Sequence, residues 1–210
     1  MKFPIFASFI VFVLWLTYEL RKTKIKSDEA EESFWDKEQK ANHVRKKSLE
    51  DLPYVRFDFT LLPDAESIRS VSLEGKEEIR ENALASLEAL MALQNEKILN
   101  LNGISNTDVK LTYGTANLAI LTEYDLNFET FSKHIYLLAN ALDQLNLSDK
   151  ALTILEETLY TGTDVSGHYK LLANLYKRKG QSEKIAKLRQ QAETLTGLSK
   201  KSILSYLDTL

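Results

Sequence analysis

Polar and apolar positions divide the chain into stretches of different period. Residues 3–18 (FPIFASFIVFVLWLTY) carry no charge. Continued to Leu20, they make about 27 Å of helix, close to the thickness of a bilayer's hydrocarbon core. Trp15 and Tyr18 stand near the end, where amphipathic rings favour a membrane interface, and Arg21 and Lys22 follow within snorkelling reach. The stretch runs into Thr17-Tyr18-Glu19-Leu20-Arg21-Lys22 without the small-residue pattern of a cleavage site. Residues 1–22 are therefore expected to remain as a transmembrane anchor rather than be removed as a signal peptide. Arg21, Lys22, Lys24 and Lys26 follow the stretch, and only Lys2 and the terminal amine precede it. The positive-inside rule then predicts a single-pass protein of the cell membrane with the rest of the chain in the cytoplasm.

The period changes twice more. Residues 27–47 (SDEAEESFWDKEQKANHVRKK) place acids first and bases last, which suits a helix dipole, with Ser27 positioned to start the helix. Phe34, Ala41 and Val44 give this juxtamembrane helix a thin apolar stripe, and Phe34 and Trp35 are expected to touch the main domain. Between Pro53 and Pro63, Val55, Phe57 and Phe59 alternate with Arg56 and Asp58, predicting an extended strap. The strap lies on a helical domain or offers an edge to another chain. The juxtamembrane helix and strap together make residues 23–63. From 64 to 210 the spacing turns helical: a loop at 64–75, a helix over 76–100, a break at Gly103, a helix over 107–124, a turn at 125–127, then further helices. The fold class is all-α.

Composition narrows the chemistry. Plentiful Leu, Ala, Glu and Lys, with only 7 Gly and 3 Pro, favour helix. The absence of Cys excludes disulfides, thiolate nucleophiles and Cys-ligated zinc. A net charge of −3 lacks the basic balance of a nucleic-acid binder. His43, His134 and His168 form neither H-x-x-x-H nor H-E-x-x-H, and no glycine-rich phosphate loop is present. No catalytic residue, metal, cofactor or small-molecule substrate is assigned. Glu156-Glu157 reads as a solvated face, since adjacent helical residues do not face each other.

The strongest internal signal is a repeat. Leu137-Leu138-Ala139-Asn140 recurs 34 residues later as Leu171-Leu172-Ala173-Asn174. The register also pairs Ile135 with Tyr169, Leu142 with Tyr176, Asn146 with Gly180 and Ser148 with Ser182. His134 and His168 match as well, and both read as repeat-surface residues. A helix–turn–helix period of this length resembles the tetratricopeptide repeat. The resemblance covers 132–165 and 166–199, with 200–210 as a capping helix. Ser182 and Ile185 depart from its usual aromatic and alanine, and Thr158 from its usual small residue.

The resemblance implies a groove for a protein or peptide partner, lined by Lys133, Tyr136, Asn140 and Gln144 in the first unit and Lys170, Asn174, Lys177 and Arg178 in the second. Lys170 and Asn174 look like the pair with which some such repeats grip a peptide carboxylate, which implies an acidic partner. Separately, Phe34 to Tyr54 (FWDKEQKANHVRKKSLEDLPY) resembles a group of single-pass proteins of anaerobic Gram-positive bacteria, through an F-W-x-x-E-x-x-A-N-x-V-R-x-K stretch. That group carries no established activity, so the likeness implies location and not chemistry. Three readings stay open: a membrane-anchored adaptor using the groove, a structural subunit using the juxtamembrane segment, and a membrane-bound enzyme.

Overall fold

The computed structural model describes residues 3–71 and 74–210, with side chains from residue 8 onward. The described backbone is all-α, with no strand among those residues. Its helices are α1 (Phe3–Asn42), α2 (Ala65–Arg69), α3 (Glu77–Ala92), α4 (Asn106–Tyr113), α5 (Leu118–Gln144), α6 (Ser148–Thr158), α7 (Ser166–Arg178), α8 (Ser182–Ala192) and α9 (Lys200–Leu207). The chain divides into two compact units, one of residues up to 48 with 105–118 and one of 49–104 with 119–210.

In the first unit, α1 runs unbroken through Ser27, where a new helix was expected to start. Nothing in the stretch breaks helix: the hydroxyls of Thr17 and Thr23 donate to the carbonyls of Val13 and Glu19, one turn back. No helix of the described residues is long and apolar enough to cross a membrane. The start of the expected anchor, residues 1–7, lies outside the described side chains. The described charge-free part, Ser8 to Tyr18, spans about 16 Å. Phe34 and Trp35, expected against the main domain, are 51% and 60% exposed and pack edge-to-face on each other.

The last turns of α1 hold α4. Ala41 is fully buried. Glu38 accepts from Thr107 Oγ1 (2.7 Å) and pairs with Lys110, whose ammonium also donates to Asn42 Oδ1 (3.1 Å). These bonds, that from Lys110 first, hold the Glu38 carboxyl below its usual range. Thr115 Oγ1 donates to the Ala41 carbonyl, and Asn117 Nδ2 donates to the carbonyls of both Lys47 and Tyr113. Four positions of the F-W-x-x-E stretch, Glu38, Ala41, Asn42 and Lys47, are therefore this docking edge.

In the second unit, helix boundaries depart from the expected ones where polar side chains serve other backbone. The helix predicted over 76–100 ends at Ala92. Ile98 and Leu99 are still buried, but outside any helix: Leu99 N–H donates to Tyr124 O (3.1 Å) and Leu101 N–H to Asp125 Oδ1 (2.9 Å). The turn predicted at 125–127 is absent, because α5 passes through it. Asp125 and Asn127, which resemble turn formers, instead hold residues 97–101, with Asn127 Nδ2 donating to Lys97 O (3.0 Å). The loop predicted at 64–75 contains α2, started by the Asp64 carboxylate accepting from Ser67 N–H. The strap does lie on the helices: Val55 N–H donates to Ile98 O, and Phe57 and Phe59 meet Phe131 edge-on at 5.0 and 6.4 Å.

Gly114 has φ +91 and ψ 145, a region that only glycine occupies readily, and a Cβ there would collide with the Arg45 carbonyl. Gly103 is also at positive φ (+82) but has open space around it. Gly114→Ala is expected to destabilise by about 2–4 kcal/mol, and Gly103→Ala by only about 1–2 kcal/mol. Urea unfolding midpoints of the two variants measure the difference.

Candidate functional site

The 34-residue spacing is written in the backbone as well as the sequence. Asn146 and Gly180 both take left-handed φ, +62 and +67. After each helix the same bonds close the turn: Leu147 N–H to Leu142 O (2.8 Å) corresponds to Gln181 N–H to Tyr176 O (2.9 Å), and Asn146 N–H to Asp143 O to Gly180 N–H to Lys177 O, both 3.1 Å. This is the helix stop in which a left-handed residue lets the chain bond back to the last turn. α6 and α8 then start at Ser148 and Ser182 and run for 11 residues each.

Burial repeats in the same phase. Ala139 and Ala173 are 0% exposed, as are Leu138 and Leu172. The second half of α5 and α7 run in the same direction: His168 bonds to Ser132 O near one end, and Arg178 pairs with Asp143 near the other. α6 is tied to α7 and α8 through Glu156, which accepts from Tyr176 O–H (2.8 Å) and Lys184 Nζ (2.7 Å). Glu156 is thus a structural tie, not the free solvated face expected for the Glu156-Glu157 pair. α9 continues the phase, with Ile203 and Leu207 buried.

The expected groove residues do not converge on one site. Lys133 and Tyr136 line a recess of about 340 Å³ floored by Phe128 and Ser132 and walled by Leu137 and Val165. Asn140 and Gln144 face a neighbouring recess of about 530 Å³ shared with α3, where Ile79, Asn82 and His134 lie. Leu137 lines both recesses and is 39% exposed. The Lys170–Asn174 pair is already engaged: Tyr206 of α9 donates to Asn174 Oδ1 (2.8 Å), and Lys170 sits 5.5 Å from the Tyr206 ring centre. Arg178 is paired with Asp143, and Lys177 is exposed.

The sequence reading missed Phe128, Ser132 and Leu137. The available signal was Leu137 itself, an apolar residue on a face that otherwise carries Lys133 and Asn140. Ser132 is 4% exposed, and its hydroxyl has no hydrogen-bond partner among the described residues.

His168 overturns its expectation as a surface residue: it is 0% exposed. Its Nε2 lies 2.9 Å from Ser132 O and its Nδ1 3.0 Å from Thr163 Oγ1. A carbonyl only accepts, so Nε2 carries the proton and Nδ1 accepts from the threonine hydroxyl. Burial pushes the imidazole down to about 4, opposed by the Ser132 carbonyl. His134 is also held below the usual range, first by burial and then by Lys133.

The folded pKa of His168 is depressed, so the unfolded chain takes up a proton that the folded chain refuses. The neutral imidazole's contribution is complete above about pH 6.5 and is lost as pH falls towards 4. The loss is expected to reach about 3 kcal/mol. Urea midpoints followed from pH 7.5 to 4.5 should fall less steeply in His168→Gln than in the natural protein. Equal slopes would show that His168 titrates normally. Comparison with known protein families, curated proteins and solved structures finds no match to this chain.

Proposed function

We propose that the protein is a membrane-anchored adaptor that holds a protein partner, of acidic character, on a tetratricopeptide-like helical face. The observation that carries the anchor is the described surface of α1. Phe9, Val11, Phe12, Leu14, Trp15 and Tyr18 are each more than half exposed, between 52% and 65%. Consecutive helical residues point about 100° apart, so these side chains surround the helix instead of forming one stripe. A helix that is apolar on all sides is stable only inside a protein core or a bilayer. With residues 3–7 the charge-free stretch reaches 16 residues, about 24 Å of helix, and Arg21 and Lys22 follow within snorkelling reach.

The repeat reading is supported by the shared turn backbone at Asn146 and Gly180 and by the matched buried alanines. The partner contact is assigned to the Phe128–Tyr136–Leu137 recess. An apolar side chain of the partner would fill it, and Lys133 at its rim would meet an acidic neighbour. The Lys170–Asn174 pair is given a different role, as the seat of Tyr206. The anchor would raise the local concentration of the recess near the bilayer, with the adaptor facing the cytoplasm if the basic residues after the span stay on that side.

A second reading rests on one observation, the exposed edge-to-face pair Phe34–Trp35. There the protein is a structural subunit whose contact is the juxtamembrane helix. Photo-crosslinkers placed at Leu137 and at Trp35 of the membrane-borne protein separate the two. Adducts at Leu137 that fall about tenfold in Lys133→Glu are expected; adducts at Trp35 alone would transfer the contact to α1. Carbonate extraction should leave the natural protein in the membrane pellet and release a Val11→Lys/Leu14→Lys variant.

A further inference from the structure

α1 sorts its charges along its axis. Ser8 to Tyr18 carry none; Glu19 follows, then Arg21, Lys22, Lys24 and Lys26, then Asp28, Glu29, Glu31 and Glu32. All of residues 21–32 are exposed, on a helix that continues without interruption to Asn42. The cations from 21 to 26 occupy about 7.5 Å of axis, and a headgroup layer is about 5–7.5 Å deep on each side of the hydrocarbon core. After Glu19, which precedes the cations, the next carboxylate, at Asp28, stands about 10 Å past Arg21, beyond that layer.

Angular placement points the same way. At about 100° per residue the four cations lie near 0°, 100°, 300° and 140° around the axis. A partner helix touches one face of its neighbour, whereas a lipid surface surrounds a helix that crosses it. The cations are also free of the acids that follow. Lys22 approaches Glu19 (3.9 Å), and among the described residues Arg21, Lys24 and Lys26 form no ion pair. Lys24 precedes Asp28 by four residues, the weaker orientation for a helical pair.

We propose that residues 21–26 form a belt that binds the anionic headgroups of phospholipids around the span. The belt rests on the anchor reading and adds to it a preference for lipid class. Anionic lipid gathers where exposed lysines and arginines stand in the headgroup layer, and the attraction weakens with salt.

The test uses the full chain carrying Trp35→Phe, so that Trp15 alone reports. It is reconstituted into phosphatidylcholine vesicles holding a minor fraction of brominated phosphatidylglycerol or the same fraction of brominated phosphatidylcholine. Trp15 fluorescence is expected to be quenched more by the brominated anionic lipid. The preference should fall in Lys24→Gln/Lys26→Gln, by roughly up to fivefold per cation at low salt, and shrink as sodium chloride is added. Equal quenching by the two lipids overturns the belt and leaves the anchor standing. No quenching by either overturns both.

Discussion

Burial of one face of α5 is the constraint on which the second unit depends. Phe128, Phe131, Ile135, Leu138, Ala139 and Leu142 are all 1% exposed or less. Phe131 receives the strap through Phe57 and Phe59, while the turns after Leu142 and Tyr176 send α6 and α8 back against the same core. α6 and α8 have 11 residues each, a length at which an isolated helix is marginal in water. They persist because α5 and α7 present apolar surface for them to cover. Ala139 and Ala173 matter for what they lack: a larger side chain in either position would hold neighbouring helices apart.

How legible this was depends on whether the informative side chain serves its own element. Leucine spacing located α3 because its apolar face is a local pattern. The 34-residue phase gave the paired turns because Asn146 and Gly180 tolerate the left-handed backbone that such a stop requires. Asp125 and Asn127 misled because their composition is that of a turn, while their side chains satisfy the backbone of residues 97–101. No local pattern announces a long-range partner. His168 misled in the opposite way: as the repeat equivalent of His134 it looked like a surface position. Thr163 and the Ser132 carbonyl supply the two bonds that a neutral imidazole needs to be buried.

The candidate site was half legible for the same reason. Lys133 and Tyr136 were named and do line one recess. The lysine–asparagine pair was named for a ligand and is held by the chain's own Tyr206. A resemblance transfers positions on a helix but not what the rest of the chain places over them, and α9 lies within contact of both residues.

One wall of the remaining recess is fixed beforehand. Gly167 in α7 has no Cβ, and one built there would lie 2.7 Å from Tyr136 Cε2. The tyrosine ring therefore occupies space that any other residue at 167 would claim, and the adjacent His168 ring lies 6.2 Å from it, centre to centre. His168 is itself held by two hydrogen bonds, so the ring behind Tyr136 does not turn freely. A wall that is already ordered loses little conformational freedom when a ligand arrives, which removes one of the usual costs of binding. The buried histidine and the small glycine thus act on the recess at second hand. Both set the orientation of the Tyr136 ring.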